Sequence, residues 1–465
     1  MNDSSVKLGY VFYLALAAAL GGLLFGYDTA VISGTIDQVT SQFSLSVLQQ
    51  GWYVGCALIG SIIGVAFAGW LSDEIGRKPA MFLSAILFTV SAIGCAITPT
   101  FNWLVIYRIV GGVGIGVVSI VAPMYISEVS VSQYRGRMVS LYQLAITVGF
   151  LAAYLVNFLL LGVSQSHSFA SSQFQLIFVD EVWRGMLGME TIPALFFFIL
   201  LFFIPESPRW LVVRNKSAQA TRILEKFFSE KKEADAVVSQ VQSNLASQVK
   251  TDWHQLLRPG IFTAVVVGVC IAILGQFMGV NAVLYYGPSI FKDAGMTDPL
   301  FCQVLVGIVN CVTTILAMSI IDKVGRKKLI YYGVSGMILS LLMIAFYFAF
   351  TETMNLSVYF MLSFFLFYVF CCAISISAVV WVLLSEMYPN SVRGVAMSIA
   401  GFALWIGTYL VGQLTPWMLT TLTPAGTFIF FAIMCLPYMF IMWKYIPETA
   451  GMSLEEIERY WTKRK

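Results

Sequence analysis

The sequence predicts an all-α integral membrane protein whose twelve transmembrane helices fall into two six-helix halves. Three observations predict it. Of 465 residues, 59% are hydrophobic and only 11% charged, with a mean hydropathy of +0.83, whereas a soluble chain carries about a quarter Asp, Glu, Lys and Arg. Stretches such as "YVFYLALAAALGGLLFGY" and "TIPALFFFILLFFI" approach or reach the ~20 apolar residues that cross a bilayer. The second half of the chain also restates motifs of the first. Because the apolar runs are near-continuous and not alternating, a transmembrane β-barrel is excluded.

The apolar runs lie near 9–33, 50–72, 79–98, 102–127, 138–161, 184–204, 259–291, 299–322, 329–350, 357–388, 394–420 and 424–446. One lysine precedes the first run, with no small-residue cleavage site, so that run reads as a retained helix. The connections at 34–49, 99–101, 162–183 and 351–356 hold no Lys or Arg, and only Lys292 marks the one at 292–298. The opposite side carries Arg77, Lys78, Arg135 and Arg137, nine basic residues from Arg209 to Arg258, then Lys323, Arg326, Lys327 and Lys328. Basic loops stay inside, so both termini are expected in the cytoplasm, in a multi-pass protein of the cell inner membrane.

The polar, basic stretch 205–258 separates an N-terminal six-helix bundle (1–204) from a C-terminal one (259–446), and 447–465 forms a cytoplasmic tail. The stretch is helix-prone and reads as short cytoplasmic helices lying under the membrane, either a solvated face or an element of a gate.

Composition also narrows function. A net charge of +3 gives no reason to expect a nucleic-acid partner. The eight cysteines sit in or beside apolar runs without a CxxC pair and read as buried small hydrophobes. His167 and His254 lie in polar loops, and no His/Cys/Asp cluster has metal-ligand spacing. No GxSxG, Walker-type loop or HExxH occurs. An enzyme is therefore disfavoured, and no cofactor or metal is expected.

An internal repeat orders the motifs. "SDEIGRK" (72–78) matches "IDKVGRK" (321–327), and "SEVSVSQYRG" (127–136) matches "SEMYPNSVRG" (385–394). "PESPRW" (205–210) matches "PETAGM" (447–452) more loosely. Two like-oriented halves suit a transporter with its substrate site between them near the midplane. Arg77, Glu128, Arg135 and Arg137, and their counterparts Arg326, Glu386 and Arg393, fall at helix ends on the basic side. Charges there can pair when that side is shut and separate when it opens, which suits a two-state latch. Anchoring of the topology alone is the plainer alternative.

Asp28, in "GGLLFGYDTAVISG", is costly: a carboxylate in a helix interior costs at least ~2.5–3.5 kcal/mol on insertion scales. Arg108, the lone basic residue within the fourth run, is its natural partner. Burial raises a carboxyl pKa and a nearby guanidinium lowers it, so movement of Arg108 would bind or release a proton. A static ion pair is the alternative. One charge moved through about 100 mV gains ~2.3 kcal/mol, enough for roughly fifty-fold accumulation of a neutral solute.

These motifs resemble the major facilitator superfamily and, within it, the sugar porter family. The likeness runs from "GGLLFGYDTAVISG" to "PETAG" and includes "GWLSDEIGRK", "PMYISEVSVSQYRGRMVS", "PESPRWL", "GQFMGVNAVLYYGPSIF", "DKVGRKK" and "VVWVLLSEMYPNSVRG". Within that family it resembles the bacterial xylose–proton symporters and their arabinose and hexose relatives. The resemblance implies the major facilitator fold and import of a monosaccharide with protons by alternating access, with the chain functional as a monomer in the lipid bilayer. It assigns proton coupling to Asp28, where the family's facilitators carry Asn, and makes Glu190 an auxiliary group, with a structural hydrogen bond as the alternative. Glu206, Arg209 and Glu448 extend the basic-side cluster in the family's outward-facing lock.

For the sugar, the resemblance implies Gln143 on the fifth span, Gln276 and Asn281 on the seventh, Asn310 on the eighth and Trp381 on the tenth. Phe25, Tyr285 and Tyr286 line or cap the pocket, and Trp405 lies on the eleventh span. "GVN" within the seventh span supplies a Gly where a gate could bend. Four departures matter. Gly275–Gln276 replaces the family's Gln pair, and Leu404 precedes Trp405 where the xylose symporters have Gln. Ser377–Ala378 stand where a Gly-Pro kink is usual, and Phe150 replaces a polar residue. The pocket is therefore less polar, which leaves open a deoxy sugar, a differently oriented pentose or hexose, or a polyol. A uniporter on the same fold is the second reading. A non-transporting sensor is the third, and the short stretch 447–465 does not resemble a signalling tail.

Overall fold

The computed structural model describes residues 7–131, 134–228, 231–246, 256, 258–388, 392–449 and 454–463, and no strand occurs among them. His254 and the last residues of "PETAGM" lie outside the described residues, as do parts of "SEVSVSQYRG" and "SEMYPNSVRG". Among the described residues, twelve helical segments are long and apolar enough to cross a membrane.

The first span is α1 (Leu8–Val31), ending in a 3₁₀ turn at Ile32–Gly34, and the short α2 (Ile36–Phe43) links it to the second, α3 (Val47–Ile75). Then come α4 (Arg77–Ile97), α5 (Phe101–Val129) and α6 (Arg135–Ser166). A connecting turn, α7 (Ser172–Gln175), leads to a sixth span divided into α8 (Val182–Gly188) and α9 (Thr191–Phe203). Three short helices follow: α10 (Pro208–Val213), α11 (Ser217–Leu224) and α12 (Lys231–Ala246).

The seventh span is also divided, into α13 (Pro259–Phe277) and α14 (Val280–Asp293). Gly279 between them has φ +92°, a left-handed conformation that glycine adopts without the Cβ penalty, so the "GVN" glycine is a helix break. Next come α15 (Pro299–Val324) and α16 (Arg326–Met354). The tenth span comprises α17 (Val358–Cys372), a π-helical turn at Ala373–Ser377 and α18 (Ala378–Met387). The irregularity that a proline would impose there is present without one. α19 (Arg393–Thr421), α20 (Thr423–Lys444) and the amphipathic α21 (Leu454–Lys463) complete the chain.

Two compact units result: one of Met1–Thr29, Ile59–Ala153 and Ser168–Lys250, the other of Ala30–Leu58, Tyr154–His167 and Thr251–Lys465. In the first, α3 and α5 cross on glycines. A Cβ at Gly60 would collide with the Ile109 carbonyl, one at Gly64 with the Val113 carbonyl and one at Gly116 with the Ser61 carbonyl. Small residues let membrane helices approach backbone to backbone, where dispersion replaces the missing hydrophobic drive. Gly26 meets the Ile146 carbonyl and Gly149 the Leu23 carbonyl in the same way. In the second unit, the ends of α1, α3 and α6 away from the basic loops pack with the C-terminal helices. Asn157 donates to the Val31 carbonyl at 3.0 Å, Tyr154 to the Leu284 carbonyl at 3.0 Å, and Gln413 to the Leu48 carbonyl at 3.1 Å.

Candidate functional site: an intramembrane acid and paired charge clusters

Asp28 lies in the last third of α1 and is 1% exposed; Arg108 on α5 is 2% exposed. Arg108 Nη1 forms an ion pair with Asp28 Oδ1 and donates to the Asp28 carbonyl at 3.3 Å. The other carboxylate oxygen, Oδ2, accepts no hydrogen bond among the described residues. Gly111, one turn beyond Arg108, makes the space: a Cβ there would stand 3.0 Å from Asp28 Oδ2 and crowd Ser91 Oγ. The pair is thus half-satisfied, in surroundings where an uncompensated carboxylate oxygen is expensive.

Glu190 sits at the break between α8 and α9 and is 2% exposed. Its Oε1 accepts no hydrogen bond among the described residues, and it interacts electrostatically with Asp28, Arg108 and Tyr27. The structure therefore gathers the three residues proposed for proton coupling into one buried group. Arg184, six residues before Glu190, holds the opposite, N-terminal end of α8. It pairs with Glu181, donates to the Thr98 carbonyl and lies 4.4 Å from the centroid of the Trp183 ring.

On the basic side the repeated motifs build the same construction twice, once in each unit. Arg77 grips Glu128 with two bonds, Nε to Oε2 at 3.0 Å and Nη2 to Oε1 at 3.1 Å, and reaches Asp73 at 2.9 Å. Glu206 accepts from the backbone N–H groups of Arg77, Lys78 and Ser207 at 3.1, 3.2 and 2.7 Å, and Ser207 Oγ donates to Glu128. In the second unit Arg326 donates to Glu386 at 2.9 Å, and Glu448 accepts from the N–H groups of Arg326 and Lys327 at 2.9 and 3.1 Å. Thr449 Oγ1 donates to Glu386 at 2.6 Å. Gly76 and Gly325, at φ +102° and +94°, let each carboxylate reach the N-terminus of α4 or α16, where the helix dipole favours an anion. The loose match of "PES" (205–207) to "PET" (447–449) is therefore a close structural one.

Burial pushes the Glu206 carboxyl above the usual glutamate range, against the pull of its three backbone donors and the Arg77 guanidinium. Arg135 is exposed and donates to the Ser127 carbonyl at 3.1 Å, and Arg393 donates to the Tyr388 carbonyl at 3.3 Å. Arg137 and Arg209 are exposed. Arg209 and Arg135 border a cavity of about 320 Å³ whose walls include Val212, Leu224 and Phe228.

Among the residues expected to contact sugar, Gln276 and Asn281 of the second unit flank the helix break. Asn281 Nδ2 donates to Gln276 Oε1 at 2.6 Å, and Thr408 Oγ1 donates to the same oxygen at 3.1 Å. Tyr286 donates to the Gly412 carbonyl at 2.7 Å, and Tyr285 is 2% exposed. Asn310 on α15 is half-buried, Trp405 on α19 is buried, and Trp381 on α18 is 42% exposed. In the first unit Phe25 and Gln143 are half-buried and Phe150 is buried. At Gly275 a Cβ would meet only Ile376 and Tyr438, both at 3.8 Å, so glycine is not required there by packing.

Sequence reasoning missed Thr408, Asn157, Tyr154 and Asp37. Asn157 was findable as a lone amide in "YLVNFLLL". Thr408 carried no signal, because a threonine bonding its own helix, here at the Leu404 carbonyl, is common in membrane spans.

A transporter is the class of protein that twelve such spans, a broken seventh helix and a duplicated charge cluster define. The profile of the family "Sugar (and other) transporter" matches residues 14–461, and the chain belongs to that family, whose members are transporters and not enzymes. It is 38% identical to the D-xylose-proton symporter of Escherichia coli K12 over 498 aligned positions, covering 99% of this chain and 97% of the relative. To the arabinose-proton symporter of Bacillus subtilis it is 36% identical over 462 residues, covering 99% and 97%. Among solved structures it is similar to the partially occluded inward open conformation of the xylose transporter XylE from E. coli, with TM-score 0.82 and 36% identity, covering 96% of this chain and all of that one. The fold is that of the major facilitator superfamily, and the chain is a multi-pass membrane protein.

Proposed function

We propose that the chain imports a monosaccharide, a pentose or hexose, together with protons by alternating access. Both termini face the cytoplasm of a bacterial inner membrane, and a single chain suffices. The observation that carries the coupling is the buried, half-satisfied Asp28–Arg108 pair with Glu190 beside it. A carboxylate with one oxygen unpaired in low dielectric is poised to accept a proton when Arg108 withdraws. The relatives' names, proton symporters of xylose and arabinose, support the same reading.

In this reading Gln276, Asn281, Asn310, Trp381 and Trp405 contribute sugar contacts from the second half, and Phe25 and Gln143 from the first. Tyr285 and Tyr286 cap the pocket from α14. Planar amides that both donate and accept suit hydroxyl groups, and an aromatic ring suits a sugar's apolar face. The Arg77–Glu128–Glu206 and Arg326–Glu386–Glu448 clusters, with Arg135, Arg137, Arg209 and Arg393, form the cytoplasmic gate of two six-helix bundles, 1–204 and 259–446, joined by 205–258.

The test is uptake of a panel of labelled pentoses, hexoses, deoxy sugars and polyols into proteoliposomes, with and without an inward proton gradient. Concentrative uptake of one sugar that collapses with a protonophore is the expected result. Equilibration unaffected by the gradient would establish the uniporter instead.

A further inference from the structure

Lys292 breaks the charge pattern of the chain: it is the single basic residue in the connections at 34–49, 99–101, 162–183, 292–298 and 351–356. Transport and the cytoplasmic clusters give it no task. In the structure it lies in the last turn of α14, where its Nζ donates to Asp37 Oδ2 at 3.1 Å. One turn earlier on α14, Ser289 Oγ donates to the other oxygen, Asp37 Oδ1, at 2.8 Å. Both carboxylate oxygens of Asp37 are therefore spent on one half-helix.

That half-helix is the part of the seventh span beyond the break at Gly279, and it carries Tyr285 and Tyr286. Its other polar ties include Tyr154 and Gln303 to the Leu284 carbonyl and Tyr286 to the Gly412 carbonyl, all of them buried. The Asp37 ties differ. Asp37 sits on α2, an eight-residue helix too short to span, and the side chains of Lys292 and Asp37 are 65% and 40% exposed. An exposed pair is weak and exchanges readily with water. Such a contact is poorly suited to holding a fold together and well suited to breaking once per cycle.

We propose that Asp37 is a positioning residue of the transport cycle. Through Ser289 and Lys292 it pins the outer half of the seventh span in its closed placement, and loss of the pin lets that half-helix swing at Gly279 and open the outer mouth. The inference rests on the transport reading and on the inside–outside orientation given above, and it adds to them an outer latch separate from the cytoplasmic clusters.

The test compares the parent chain with Asp37→Asn and with the charge-swapped double variant Asp37→Lys/Lys292→Asp, all reconstituted in lipid nanodiscs without sugar. Backbone hydrogen–deuterium exchange is followed over residues 280–293. Asp37→Asn is expected to speed exchange there about two- to five-fold, the range a surface ion pair commands, and the swapped pair to return it to near the parent rate. Exchange at the parent rate in Asp37→Asn, or a swap as fast as the single variant, overturns the proposal. In proteoliposomes Asp37→Asn should change the rate of sugar counterflow and leave the accumulation ratio untouched, because it removes no proton-coupling group. The exchange measurement uses no substrate, so a chain that moved no monosaccharide would refute the transport reading without deciding the latch.

Discussion

Arg108 binds Asp28 twice, through the carboxylate and through the main-chain carbonyl at 3.3 Å, while the second carboxylate oxygen is left without a partner among the described residues. A guanidinium anchored on the backbone can let go of the side chain without leaving the site. That is the geometry a proton-coupled step requires: the charge partner moves a short way and the carboxyl changes ionisation.

Replacing Asp28 by Asn removes the titration and preserves the shape. Gradient-driven accumulation should fall from the roughly fifty-fold that ~2.3 kcal/mol supports to equilibration, whereas counterflow should persist. Paired uptake and counterflow assays in proteoliposomes read the two separately, and equal loss of both would contradict the coupling role.

Gln276 is held by Asn281 at 2.6 Å and by Thr408 at 3.1 Å, so its amide is oriented before any sugar arrives. Gln276→Ala should raise the KM for the transported sugar about two- to twelve-fold, since a lost hydrogen bond costs ~0.5–1.5 kcal/mol. Thr408→Val, which only loosens Gln276, should raise it less. An unchanged KM in Gln276→Ala would remove this residue from the pocket.

Arg77 is 8% exposed and Glu128 is 6% exposed at its side chain, so Arg77→Ala strands a buried carboxylate. Breaking a buried pair from one side costs ~3–5 kcal/mol. A lower Tm in detergent is the expected outcome, and Glu128→Gln, which leaves Ser207 a partner, should cost less. Equal Tm values for Arg77→Ala and the parent would show the cluster to be solvated.

Glu206 gives a pH signature of definite sign. Its carboxyl titrates above the usual glutamate range because burial penalises the charge, so between the unfolded value of about 4.3 and the raised folded one the folded chain holds a proton that the unfolded chain has lost. Stability from this group therefore rises as pH falls through its folded pKa and is complete below the unfolded one. The difference in Tm between parent and Glu206→Gln should shift in the parent's favour as pH is lowered from 7 towards 5. A shift the other way would mean that the helix-capping bonds outweigh burial.

Much of this was legible in the residues themselves, because bilayer thickness sets a run length and repeated motifs mark repeated structure. The twelve spans, the break at "GVN" and the pairing of Asp28 with Arg108 could all be read from position and chemistry. The π-helical turn at Ala373–Ser377 could not, since no Pro or Gly marks it. The break in the sixth span at Glu190 was equally silent. Thr408 gave no warning that it orients Gln276.

By itself, then, the sequence determined what must lie in lipid, which side carries the cations and which acids are too costly to be idle. Those properties follow from composition along the chain. Only the tertiary structure decided which oxygen of Asp28 goes unpaired, that Glu206 and Glu448 cap equivalent helices, and that Lys292 answers to Asp37. Each of these depends on residues far apart in the chain meeting within hydrogen-bonding distance, and no local pattern encodes such a meeting.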